Sequence, residues 1–170
     1  MGMDFLLGRQ DPSTGLLGIP MFHVGGAIVS SLYSLSRGGT IVTLHPNGLR
    51  DPVTVREFLE NAARFNATTL GGVPASWAAF LALPSDHLDL NKVRYGIVGA
   101  STLPLEVANG VAEKFGFPLI EGWGMTETHG FATMNPLHGE NRVGSVGIRL
   151  PYMQIKIAKL NENGHSVREC

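Results

Sequence analysis

The sequence predicts an α/β fold: repeated βα units forming a mainly parallel sheet with flanking helices, followed by the start of a small antiparallel β subdomain. Three observations carry this. Short β-rich runs alternate with longer segments of helical spacing between Leu16 and Ile120. Glycine-bearing turns follow two of the short runs, at Gly99-Ala100-Ser101 and Trp123-Gly124, where parallel sheets bind their ligands. After Gly144 the pattern becomes alternating and strand-like. The expected units are residues 1–143, an incomplete α/β subdomain, and residues 144–170, the beginning of a β subdomain.

Each element has a local reason. Leu16 to Pro20 reads as a short buried strand, and Gly25 to Ser36 has the apolar spacing of a helix. Thr40 to Leu44 is β-branched and strand-like, and His45-Pro46-Asn47-Gly48 is a turn. Asp51-Pro52 opens the clearest helix, with Asp as N-cap and Pro in the first helical position. Its buried stripe is Val55, Phe58, Leu59, Ala62 and Ala63. A strand at Ala67 to Leu70 precedes a helix at Pro74 to Leu83. A strand at Val93 to Val98 precedes a helix at Leu105 to Phe115, and Phe117 to Ile120 is the next strand. Ser145 to Leu150 and Met153 to Leu160 read as β, with a turn at Asn161 to Gly164.

Composition excludes several function classes. A chain of 170 residues is about one domain and buries a sizeable core. The formal net charge of −1 provides no basic field for nucleic acid. No apolar run reaches the length of a membrane span, and no signal peptide is evident. Cys170 is the only cysteine, so no internal disulfide is possible and a cytoplasmic location is expected. Charged residues make up only 16%, against about 25% in soluble domains. Surfaces normally covered by other parts of the same protein are therefore expected, and with them self-association of the chain.

The densest chemistry lies in Glu121-Gly122-Trp123-Gly124-Met125-Thr126-Glu127. An aromatic can stack on a base, glycines admit close backbone approach, and a hydroxyl reaches a phosphate oxygen. A carboxylate suits a hard cation such as Mg²⁺, shared with substrate phosphates. The plainer reading is a tight turn after a buried strand, with Trp123 in the core. Similarly, Ser101 to Pro104 reads as an ordinary helix cap before Leu105. His45, His87, His129, His138 and His165 lack metal-ligand spacing, and Lys156 and Lys159 read as solvated charges.

Three further runs lie in order with this one: Phe22-His23-Val24-Gly25-Gly26, Gly99-Ala100-Ser101-Thr102-Leu103, and Arg142-Val143-Gly144-Ser145-Val146-Gly147 followed by Leu150-Pro151. Together with Trp123-Gly124-Met125-Thr126-Glu127 they resemble adenylate-forming enzymes, in particular bacterial acyl-CoA synthetases. Thr102 stands where that family usually has Pro, and Trp123 where it more often has Tyr. The resemblance implies ATP-dependent activation of a small carboxylic acid to an acyl-adenylate, then transfer to coenzyme A with release of AMP.

It implies a nucleotide site of Gly99, Ala100, Ser101, Gly122, Trp123, Gly124, Met125 and Thr126. Glu127 would hold Mg²⁺, and Thr126 would contact the α-phosphate. His23, Val24, Gly25 and Val73 would form the acyl pocket, with His23 beside the carboxylate of the acid. Pro74 and Trp77 fit either that pocket or the core. The family's upstream phosphate loop, its ribose-binding Asp, its hinge and its C-terminal catalytic Lys have no counterpart here. A central fragment of the enzyme is therefore expected, inactive by itself, and Met1 to Gln10 is expected to include extraneous residues. The nearest rivals are carrier-protein-loading adenylation domains and luciferase-like oxygenases. A rival of another class is a non-catalytic α/β module that binds a nucleotide or a partner.

Overall fold

The computed structural model describes residues 2–8, 12–163 and 166–169. Arg9, Gln10, Gly164, His165 and Cys170 lie outside the described residues, so the expected turn at Asn161 to Gly164 is only partly covered.

Seven strands form one sheet in the order β2-β1-β3-β4-β5-β6-β7. They are β1 (Thr14–Leu17), β2 (Thr40–Thr43), β3 (Thr69–Gly72), β4 (Tyr95–Val98), β5 (Leu119–Met125), β6 (Gly130–Met134) and β7 (Ile148–Arg149). The first five are parallel, and β6 and β7 are added antiparallel. From β1 the chain passes outward to β2, then returns to β3 on the other side of β1, so the strand order reverses between β1 and β3. Pairing there stops at Leu16↔Leu70, while β3 and β4 stay paired to Gly72↔Val98. The two strands part at their carboxyl ends, and a crevice opens where α/β sheets bind ligands.

One face of the sheet is covered by α3 (Pro52–Arg64), α4 (Pro74–Leu81) and α5 (Leu105–Phe115). The start of α3 follows from local chemistry. The Asp51 carboxylate accepts the Thr54 N–H at 2.7 Å, and Pro52 occupies the first turn. That N–H bond, with the Thr54 hydroxyl, holds the Asp51 carboxyl below its usual range. The helix buries Phe58, Leu59 and Ala62. Phe58 stacks on Phe80 at 4.9 Å, and Trp77 meets Phe80 and Phe117 edge-on. Lys114 on α5 donates to the carbonyls of Leu81 and Leu83, which ties α5 to the end of α4.

The opposite face carries α1 (Met3–Leu7) and a π-helical segment, Gly25–Leu32, that continues as α2 (Tyr33–Leu35). Met3, Leu6 and Leu7 are buried with Tyr33, Tyr95, Ile120 and Met134, and the Leu6 carbonyl accepts from Leu137. Met3, Leu6 and Leu7 are thus part of the core, while Phe5 is exposed.

The strand expected to end at Ile120 runs on to Met125, because β6, unmarked in the sequence, pairs with its second half. The run Trp123 to Met125 is therefore strand, not turn. Ile148–Arg149 joins the same sheet and Leu150 packs into its core, whereas β8 (Ala158–Leu160) and β9 (Ser166–Glu169) pair as a separate two-stranded sheet. Among the described residues, no helix is long and apolar enough to cross a membrane.

Candidate active site

A cavity of about 480 Å³ lies between the π-helical segment and the sheet, at the β1/β3 crevice. Its mouth is formed at the carboxyl ends of the strands by Val73, Gly99, Ala100, Thr126 and Glu127, with His23, Val24 and Gly25 at the start of the π-helical segment. Gly124 and Met125 also line it. Ten of the residues proposed from the sequence thus converge on one space. Ser101, Gly122 and Trp123 do not line it: Ser101 and Trp123 are exposed, and Gly122 is buried beneath the Phe131 ring. Ser101 does not cap α5 either; the cap position is Pro104, with no side-chain bond. Pro74 and Trp77 are buried and do not line the cavity, and Trp77 belongs to the packed face. Trp123, at 42% exposure, is not a core residue.

Local structure fixes the mouth. The Nδ1 atom of His23 accepts the Gly25 N–H at 2.9 Å, which sets the ring and leaves the proton of a neutral imidazole on Nε2. The His23 carbonyl accepts from Gly26 and Ala27 as the helix begins. π-Helical turns of this kind recur at functional sites. Between β5 and β6, the Thr128 hydroxyl accepts the Met125 N–H at 2.8 Å and donates to the Gly130 carbonyl at 2.7 Å. This brace holds the turn that presents Thr126 and Glu127. A side chain at position 124 would collide with the backbone of Gly130, so the crossing requires glycine. After β4, Ala100 adopts φ 72°, a left-handed conformation rare for a residue with a Cβ.

The sequence reading missed Glu121 as a structural link. Its carboxylate is buried and accepts the N–H groups of Leu103, in the loop after β4, and Gly144, at 3.3 and 2.9 Å. Buried Asn135 accepts the Arg142 N–H and donates to the Ser145 carbonyl. These two side chains pin the loops at 99–104 and 142–147 to β5 and β6. The available signal was a carboxylate directly after an apolar strand, which must be paired once buried. Deeper in the cavity, burial pushes the Tyr95 phenol up to about 12, and burial together with a hydrogen bond to Asp4 raises Tyr33 further. Both remain O–H donors at neutral pH. Among the described residues, no group of three His, Cys, Asp or Glu side chains converges to hold a metal.

Comparison with known proteins agrees with this geometry. The family described as "AMP-binding enzyme" matches residues 4–169. A marinolic acid–CoA ligase of Pseudoalteromonas sp. (strain SANK 73390) is 34% identical over 91% of this chain and 24% of its own length. An indoleacetate–CoA ligase of Aromatoleum aromaticum is 31% identical over 88% of this chain and 28% of its own. The chain thus spans about a quarter of the length of these relatives. Among solved structures, an anthranilate CoA ligase in complex with anthranoyl-AMP superimposes with a TM-score of 0.83 at 23% identity, over 97% of this chain and 31% of that one. ATP-bound MatB from Rhodopseudomonas palustris gives 0.78 at 26% identity, over 98% and 31%. The motifs, the parallel sheet with its crevice and the profile match agree, and the chain belongs to the AMP-binding enzyme family.

Proposed function

We propose that this chain is the central part of an ATP-dependent acyl-CoA synthetase. What supports the reading most directly is the convergence of three distant segments on one cavity: His23 to Gly25, Gly99 to Ala100, and Gly124 to Glu127. The carboxylate oxygen of the acid attacks the α-phosphorus of ATP, the bond to the bridging oxygen breaks, and pyrophosphate leaves. The coenzyme A sulfur then attacks the acyl carbon, and AMP departs with its oxygen. Such transfers depend chiefly on positioning and charge stabilisation.

The residues divide accordingly. Trp123 stacks on adenine, worth about 1–3 kcal/mol by analogy with nucleic-acid sites. Gly99, Ala100 and Ser101 offer backbone and small surface to the base, and the strand from Gly122 to Met125 allows close approach. The Thr126 hydroxyl hydrogen-bonds the α-phosphate. His23, Val24, Gly25 and Val73 receive the acid, an apolar acyl or aryl compound, with His23 polarising its carboxylate. Glu127 is exposed and, among the described residues, has no ion pair. One carboxylate beside a hydroxyl fits Mg²⁺, which keeps several waters and is shared with phosphates. Glu127 would hold such an ion, which would supply charge neutralisation for the phosphate oxygens. We place the enzyme in the cytoplasm, in fatty-acid or related acid metabolism. The isolated chain would self-associate through its open strand edge at β2 and exposed residues such as Leu32 and Leu35.

In the full-length enzyme, Glu127→Gln should lower acid-dependent pyrophosphate exchange by about 10²–10³, the usual cost of losing one oriented stabilising group. Its melting temperature should not change. Wild-type exchange kinetics in that variant would remove the assignment.

A further inference from the structure

The cavity has a second end, and its chemistry differs from that of the mouth. Along β3 it runs from Val73 past Gly71 to Thr69, and along β4 from Gly99 past Ile97 to Tyr95. Four steps separate Thr69 from Val73, roughly 13 Å at the usual rise per residue. The shaft between is mainly apolar, walled by Ile19, Val29, Ile41, Ile97 and Phe131. Glycine at position 71 keeps it open, since a Cβ there would meet nothing within 4 Å.

The floor is built of hydroxyls. Ser34, Thr69 and Tyr95 line it, with Ser34 at 6% and Tyr95 at 3% exposure. The Thr69 and Ser34 hydroxyl oxygens stand 3.5 and 3.8 Å from the point where a Cβ on Gly15 would lie, so both address the same space. None of these three side chains has a hydrogen-bond partner among the described residues. Their oxygens face the cavity and are not sealed from it, so a water or a ligand there can satisfy them. The only carboxylate, Lys or Arg side chain among the lining residues is Glu127, at the mouth; Arg37 pairs with Asp4 and does not line the space. A second carboxylate carried down to the floor would be buried with no lining cation, since Arg94 and Arg37, whose charges reach Tyr95, stay outside the space.

Resting on the acyl-synthetase reading above, we propose that the enzyme selects medium-length carboxylic acids bearing an uncharged, hydrogen-bonding oxygen function at the far end. The Ser34, Thr69 and Tyr95 hydroxyls recognise that oxygen. A plain alkanoic acid of equal length leaves the floor unsatisfied, and a dicarboxylic acid brings an unpaired charge to it. The selection is positional: the polar group must lie roughly 13 Å from the activated carboxylate, the depth of the shaft.

The test is acid-dependent pyrophosphate exchange by the full-length enzyme on three acids of matched length: alkanoic, ω-hydroxy and α,ω-dicarboxylic. The ω-hydroxy acid should show a KM about tenfold below that of the alkanoic acid, the value of one well-made hydrogen bond. The dicarboxylic acid should be the poorest of the three. Tyr95→Phe, which removes one of the three oxygens and keeps the ring, should lower the ω-hydroxy preference several-fold. Equal or better use of the alkanoic acid, or a hydroxy preference unchanged in Tyr95→Phe, would overturn the proposal while leaving adenylation intact. Absence of exchange with every acid would instead overturn the acyl-synthetase reading, and this proposal with it.

Discussion

The two faces of the sheet use similar residues to opposite ends. On the face covered by α3, α4 and α5, Gly96 of β4 makes room for an aromatic ring: a Cβ there would stand 2.6 Å from the Trp77 indole. On the other face, Gly71 of the neighbouring strand makes room for nothing in the protein. Trp77, Phe58 and Phe80 are fully buried on the first face. The second face buries Leu7, Ile120 and Met134 but also holds a cavity and a π-helical segment, and among the described residues the Ser34, Thr69 and Tyr95 hydroxyls that line it have no protein partner. One face is thus packed throughout, while the other joins a smaller core to an opening that the fold alone does not fill.

The largest expected effect lies on the packed face. Trp77→Ala should cost about 3–5 kcal/mol of stability through lost burial and the cavity left behind. The indole N–H has no hydrogen-bond partner among the described residues, so packing accounts for the loss. Denaturant titration measures it; a cost below about 1 kcal/mol would show that the aromatic cluster is not the anchor.

Glu121→Gln sharpens the comparison, because this side chain links the sheet to loops beside the cavity. The amide presents an N–H₂ where an acceptor is needed, leaving the Leu103 or Gly144 N–H unsatisfied at about 1–3 kcal/mol. Stability should fall, and the KM for ATP should rise because the loop at 99–104 is no longer held. Unchanged KM with lowered stability would confine Glu121 to the fold.

The paired glycines give a smaller contrast. Gly96→Ala should cost about 1–3 kcal/mol by overpacking against Trp77 and Leu119. Gly71→Ala should be neutral or stabilise by about 0.5 kcal/mol, since a strand glycine is replaced where there is space. Equal costs at both positions would mean that the cavity is not open in solution.

The packed face was legible in the sequence. Asp51-Pro52 marks the start of α3 by local bonds, and α5 was read with its observed ends, Leu105–Phe115. These signals act within a few residues. What escaped depends on distant partners. The extension of β5 through Trp123 to Met125 exists because β6 pairs with it, and glycines around an aromatic otherwise read as a turn. Glu121 reaches partners 18 and 23 residues away. The π-helical hydrogen bonding of 25–32 has no compositional mark, so an ordinary helix was expected. At the site, the mouth was legible because short motifs carry it. The floor was not, because Ser34, Thr69 and Tyr95 are single hydroxyls on three separate elements.

The smallest effect concerns backbone strain at the mouth of the cavity. Ala100 and His129 hold φ 72° and 57°, and both stand in loops that form the mouth. For alanine the left-handed region costs about 1–2 kcal/mol, a cost that glycine avoids. Glycine also makes the unfolded chain more flexible, which offsets part of the gain. Ala100→Gly should therefore stabilise by about 0.5–1 kcal/mol, raising the melting temperature by roughly 1–4 °C in a domain of this size. Strain at functional sites is maintained by the surrounding structure and serves to preorganise it. If that holds here, the gain in stability should come with weaker ATP binding, because the loop after β4 no longer stays in one conformation. Thermal melting and the KM for ATP, measured on the same full-length variant, separate the cases. A rise in both places the strain in the service of the site. A rise in melting temperature alone leaves it a tolerated accident of the turn, and a fall would mean that the methyl group of Ala100 makes contacts worth more than the strain it imposes.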